Sequence, residues 1–159
     1  MIAYAHFLKG DLQRAMALER DANRLGSPFM FYPEFEIYIY NQAAAEALLE
    51  IDKLWPGRER DPYLIYGRGL IAASHGRRDE ALSLARQLEE IGAGQAAFDH
   101  LSARIHLLLG DGNAALQRME RALEAEPFRS STRTRGPGTR LRHDERFARL
   151  LRRMGVPAD

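Results

Sequence analysis

The sequence predicts an all-α protein built as an array of helical hairpins, and three observations carry that reading. A glycine followed five residues later by an alanine recurs along the chain. Gly76 with Ala81 is repeated 34 residues on as Gly110 with Ala115, and an earlier copy, Gly10 with Ala15, precedes Gly76 by 66 residues, close to two periods. A period of this length is the mark of stacked supersecondary units. Within each period, apolar and small residues recur at helical spacing, as in Ile65, Gly69 and Ala72, then Leu82, Ala85 and Leu88. No run alternates with the period of two that a half-buried strand needs.

The elements follow in order. Unit one covers residues 1–26. Met1 falls in the middle of its expected first helix, which is therefore cut short, so either more of a larger protein or a partner chain is expected to cover the opening. Its second helix carries Ala15 and Ala22, with Glu19 where a large apolar side chain would be usual. Unit two, residues 27–60, is degenerate. Counting back 34 from Ala81 lands on Ala47, preceded by Glu46 as Ala81 is by Glu80, and Gln42 stands where the turn glycine belongs. Ile51 and Leu54 then fall where Ala85 and Leu88 fall in the next unit. Pro33 should start the first helix late or kink it, and a merged helix from Pro33 to Trp55 is the alternative. Unit three, residues 61–94, opens with Asp61 as N-cap and Pro62 as first helical residue. It turns at Gly76 and breaks at Gly92-Ala93-Gly94. Unit four, residues 95–127, repeats the plan: Phe98 to Leu109, a turn at Gly110-Asp111-Gly112, then Asn113 to Ala125 before Pro127. An Arg-rich linker is expected over 128–142 and a helix over 143–155, where Phe147, Leu150, Leu151 and Met154 form one apolar stripe stopped by Gly155 and Pro157.

Composition narrows the function classes. The chain has 159 residues, 45% hydrophobic and 28% charged, an ordinary globular balance. No apolar run approaches the ~18–20 residues needed to cross a bilayer, and Met1 to Gly10 lacks the features of a secretion signal, so a cytoplasmic protein with no membrane partner is expected. Cysteine is absent, which excludes disulfides, thiolate metal sites and a thiol nucleophile. The net charge of +1 hides an asymmetry: residues 128–159 carry +6 and the rest −5. Only Lys9 and Lys53 are lysines among 23 basic residues, and with the abundant Ala, Arg and Leu this composition suggests a GC-rich bacterial source.

The unit resembles the tetratricopeptide repeat, a 34-residue helix–turn–helix family with small residues where paired helices touch. The residues that carry the match are Gly69, Ala72, Gly76, Ala81, Ala85 and Leu88 in unit three. In unit four they are Ala103, His106, Gly110, Ala115, Met119, Ala122 and Pro127. Phe35, Tyr38, Ala47, Ile51 and Leu54 carry it in unit two, and Gly10, Ala15 and Ala22 in unit one. The resemblance covers residues 1–127 and implies a right-handed α-solenoid of about three and a half hairpins. The segment Leu141 to Gly155 is similar to the closing segment of repeat regions at the C-termini of bacterial multidomain regulators, such as certain adenylate cyclases and transcriptional activators. That likeness implies a capping helix over the last repeat.

The resemblance also implies a protein–protein interaction module, in which the first helix of each unit lines a concave groove. The groove residues so implied are Tyr4, Phe29, Tyr32, Tyr40, Tyr63, Tyr66, His100 and Arg104, with Phe7, Leu8, Glu36, Leu70 and Ala97 beside them. Six of the chain's 14 aromatics fall in residues 29–40, so the groove is partly aromatic and suits a peptide or protein partner. Phe31, Phe35 and Tyr38 are assigned to the core. The chaperone-tail binders of the family clamp a carboxylate with Lys and Asn. The matching places here hold Tyr66 and Leu70, which sets that activity aside.

No catalytic signature is found, and neither an enzyme, a cofactor nor a metal is expected. The five histidines, His6, His75, His100, His106 and His143, include no pair three or four apart as two ligands on one helix face would be. His106 is expected between helices and the others at helix ends or surfaces. Glu89/Glu90 and Glu34/Glu36 read as solvated faces, and Gly136-Pro137-Gly138 lacks the Lys-Ser/Thr of a phosphate loop. Arg129, Arg133, Arg135, Arg140 and Arg142 offer nucleic-acid contact as a lesser alternative, without the interleaved aromatics that stack bases. Self-association through the open first unit, Met1 to Leu8, is the other alternative.

Overall fold

The computed structural model describes residues 2–25, 33–54, 57, 60–93, 95–125, 141 and 144–153. Among these residues the chain is all-α, without strands. It forms α1 (Ile2–Leu8), α2 (Leu12–Arg24), α3 (Pro33–Tyr40), α4 (Ala44–Leu54), α5 (Pro62–Ser74), α6 (Arg78–Ile91), α7 (Ala96–Leu108), α8 (Gly112–Ala125) and α9 (Glu145–Arg153). The Arg-rich segment 128–140 and the ends of the expected 143–155 helix lie outside the described residues.

Four tight turns join α1 to α2, α3 to α4, α5 to α6 and α7 to α8, and all four have one geometry. Each centres on a residue of positive φ: Gly10 at 82°, Gln42 at 58°, Gly76 at 71° and Gly110 at 77°. The N–H of that residue donates to the carbonyl three residues back, and the next N–H donates to the carbonyl five back. The pairs are Gly10 to Phe7 and Asp11 to His6; Gln42 to Ile39 and Ala43 to Tyr38; Gly76 to Ala73 and Arg77 to Ala72; Gly110 to Leu107 and Asp111 to His106. This paired bonding satisfies the carbonyls that a helix end leaves open. Five residues past each turn centre sits a fully buried alanine: Ala15, Ala47, Ala81 and Ala115. The periodicity read in the sequence is therefore a periodicity of backbone geometry. It includes unit two, where Gln42 holds the left-handed conformation without the freedom of glycine. α3 and α4 are separate helices across this turn, which excludes the merged helix from Pro33 to Trp55, and Pro33 opens α3 instead of kinking it.

The Asp61 cap falls where the sequence puts it, and three other aspartates cap helices too. The Asp61 carboxylate accepts from the N–H groups of Tyr63 at 2.9 Å and Leu64 at 3.4 Å, with Pro62 in the first turn. Asp11 and Asp111 do the same for α2 and α8, accepting from Arg14 at 3.3 Å and Ala114 at 3.1 Å. Asp144 caps α9 through the N–H groups of Arg146 and Phe147.

Each turn-linked pair packs together. The first helices of successive pairs also pack on one another, α1 on α3, α3 on α5 and α5 on α7. Small residues make that approach close. A Cβ on Gly67 would sit 2.7 Å from the Phe35 ring of α3, and one on Gly69 would sit 2.5 Å from Cδ1 of Ile105 in α7. The second helices do not approach one another in this way among the described residues. Long side chains bridge them instead. Arg20 of α2 grips Glu46 of α4 through two bonds of 2.9 and 2.7 Å, and Arg118 of α8 donates to Glu89 of α6 at 2.6 Å. A second core, formed by Leu116, Met119 and Leu123 of α8 with Leu141, Phe147 and Leu150, holds α9 on the last pair.

Candidate partner-binding face

The first helices share one face, and the repeat register decides what stands on it. Positions 66 and 100 are equivalent in units three and four, as are positions 36, 70 and 104 in units two to four, each a period of 34 apart. They bring Glu36 of α3, Tyr66 of α5 and Arg104 of α7 into one cluster. The Tyr66 hydroxyl donates to Oε1 of Glu36 at 3.2 Å, and the Arg104 guanidinium donates to the same oxygen. Leu70 occupies the third equivalent position and is buried.

Around this cluster lie the other predicted residues. Tyr40 is half-buried, its ring tilted against Phe7 with centroids 5.4 Å apart. Burial, and then the Glu36 carboxylate, push its hydroxyl pKa up, with Arg104 opposing. His100, one turn before Arg104, has both ring nitrogens shut off from solvent and without a hydrogen-bond partner among the described residues. What exposure it keeps belongs to its other atoms. Burial, with the Arg104 charge adding to it, pushes its pKa down to about 3, so the ring is neutral. Tyr63 is 48% exposed, the most open aromatic described on this face.

Two expectations need correction. Tyr66 offers no area to a partner: it is fully buried, packed edge-on to Phe35 at 6.5 Å, and its hydroxyl is committed to Glu36. The reason is the close approach of α3 to α5 at Gly67, which closes over its ring. Glu36 and Glu89 are not solvated faces, because each finds a guanidinium on a later helix. Glu89 accepts from Ser102 and from Arg118, both at 2.6 Å. Burial works to raise the Glu89 pKa, and these bonds outweigh it and hold the carboxyl below its ordinary range. His106 is buried between helices as expected, and His100, near the start of α7, is intermediate in exposure with its ring nitrogens shut off from solvent. Tyr4 lies on α1, with its side chain outside the description, and Phe29 and Tyr32 are outside the described residues. Phe35 and Tyr38 are core residues.

Sequence reasoning named Glu36 and Arg104 singly and missed their pairing. The signal was present: opposite charges at one repeat position, two periods apart. The Glu89–Ser102–Arg118 set has no such register and gave no signal.

A second concavity, an open cleft of about 510 Å³, lies between α6, α7 and α8 and is lined by Glu89, Asp99, Arg121 and Glu124. Arg121 already pairs with Asp99 and Glu89 there. Among the described residues no group of three or more acidic or histidine side chains is placed to hold a metal ion, and no helix is long and apolar enough to cross a membrane. No protein-family model matches the chain, and neither does any curated protein or solved structure.

Proposed function

We propose that this chain is a protein-interaction module: a tetratricopeptide-like, right-handed α-solenoid of about three and a half hairpins, closed by α9, that binds a peptide or protein along its first-helix face. The reading is drawn from the four identical turns with their buried alanines, which are what a stacked helical-hairpin array needs. The single observation that carries the binding role is the character of the first-helix face. Half-buried Tyr40 lies by the polar cluster of Glu36, Arg104 and His100, and exposed Tyr63 stands one turn before Tyr66 on α5. Tyrosine supplies large contact area, a polar tip and little entropy to lose. No reaction is proposed.

The test is selection from a displayed library of random peptides, followed by affinity measurement on the enriched sequence at low and high salt. Tyr63→Ala, at an exposed position, should leave helicity intact and weaken binding about tenfold or more. An enriched peptide whose affinity ignores Tyr63→Ala would move the site off this face. Binding that vanishes with added salt would move it to the Arg-rich segment.

A further inference from the structure

We infer that Glu36 and Arg104 form a cross-brace that couples the second hairpin to the fourth and sets the curvature of the first-helix layer. Repeat arrays are ordinarily held by contacts between adjacent units alone. This pair skips a unit: its partners lie 68 residues apart in sequence, on α3 and α7, with all of α5 between them. In a flat layer of helices, equivalent positions two units apart stand about two interaxial distances away, roughly 16–20 Å. Direct contact between the two side chains requires the layer to bend toward that face. The packing bends the same way. First helices touch one another through Gly67 and Gly69, while second helices stand further apart and are bridged by arginine–glutamate pairs.

The brace is built to be rigid. Both side chains are largely buried, at 9% exposure for Glu36 and 12% for Arg104, and water does not compete for the pair as it does at a surface. Tyr66, from the helix being bridged, donates to the same carboxylate oxygen and pins it over α5. One oxygen thus ties three successive first helices. A partner seated on this face meets a surface already curved, with less conformational entropy left to lose on binding. The inference rests on the curved-array reading but not on the presence of a partner.

The absence of cysteine makes the test clean. Spin labels attached through Leu49→Cys on α4 and Gln117→Cys on α8, both exposed and both on second helices, report the distance across the outer side by dipolar EPR. Removing both charges with Glu36→Leu plus Arg104→Leu leaves no buried unpaired ion, so the fold should stand. With the brace gone the layer flattens, and the outer distance should shorten and broaden. Glu36→Gln should shift it the same way by less. A folded double variant with the wild-type distribution, or a longer distance, overturns the inference. A double variant that loses its helicity overturns it too, because the pair would then serve stability and not shape. The wild-type distance tests the array and the variant distance tests the brace, so the two failures are distinct.

Discussion

Replacing His100 by leucine should make the protein more stable, and more so in acid. In the folded chain the imidazole is neutral, its pKa pushed down to about 3 by burial and by Arg104 one turn away. In the unfolded chain it titrates near the ordinary value of about 6.5. A base whose folded pKa is depressed refuses, in the folded state, a proton that the unfolded state accepts. The wild type therefore loses stability as the pH falls below about 6.5, at up to about 1.4 kcal/mol per pH unit. Two units of acidification cost about 2–3 kcal/mol through this residue alone. At neutral pH a smaller cost is already present, because both ring nitrogens are buried without partners among the described residues; a buried unsatisfied polar group costs about 1–3 kcal/mol. His100→Leu removes both costs at similar volume. Urea unfolding followed by far-UV circular dichroism, for both proteins across a pH series, gives the difference curve directly. His106 and the carboxylates are common to both proteins and cancel. The difference should be positive at neutral pH, grow steadily below about pH 6.5 and flatten near the folded pKa. Parallel curves would refute the reasoning, since they would mean that His100 is hydrated or charged in the folded chain.

Three further outcomes follow from the geometry. Gln42→Gly should raise stability by up to about 1 kcal/mol in thermal melts, since the left-handed conformation costs a side-chain-bearing residue about 1–2 kcal/mol, against the smaller entropic cost of glycine; a lower melting temperature would count against it. Gly92→Ala should destabilise by about 1–3 kcal/mol by steric overlap alone. The new Cβ would lie 2.2–2.4 Å from the Phe98 ring and its Cβ, at a backbone φ of −102° that any residue adopts. Arg118→Leu should raise the Glu89 pKa in an NMR titration. Glu89 is held below its ordinary range in the fold, so its contribution is present above about pH 4.3 and fades as pH falls through the folded value. In the variant that contribution should be smaller, and its fade should end at higher pH.

The backbone plan was legible in the sequence because turns are local chemistry. A glycine at a helix stop, an aspartate cap and an alanine at a close approach each act within about one helical turn, and their spacing survives as a pattern. Gln42 shows how far this reaches: the residue type gave no turn signal, yet its register with Gly10, Gly76 and Gly110 did, and its φ of 58° agrees. The site was less legible because burial across the first-helix layer depends on how closely neighbouring helices approach. Tyr63 and Tyr66 are three residues apart on α5, and the sequence treats them alike. Gly67 lets α3 approach closely enough to bury Tyr66, while Tyr63 stays open. Register alone also left the two glutamates on solvated faces, since it does not say which guanidinium will reach them.

The polar residues on the first-helix face are not what stability alone would select. The repeat supplies its own control: position 70 is equivalent to 36 and 104, and there a leucine packs fully into the core. An apolar side chain therefore fits this site in the array. Replacing a buried ion pair by well-packed apolar residues is commonly neutral or stabilising. Glu36 and Arg104 thus carry a desolvation cost that packing does not demand, Tyr66 commits its hydroxyl to Glu36, and His100 beside them has no hydrogen-bond partner among the described residues. These departures from the apolar solution lie together on the first helices, whereas other buried polar groups, Glu19 on α2 and Ser102 with its partners Glu89 and Arg118, sit apart from them. Of the ion pairs between second helices, Arg20–Glu46 is substantially solvent-exposed, where such a pair contributes little, while Arg118–Glu89 is partly buried but joins adjacent hairpins only. What sets Glu36–Arg104 apart is its span: it joins the second hairpin to the fourth at a repeat position where Leu70 shows that an apolar side chain fits.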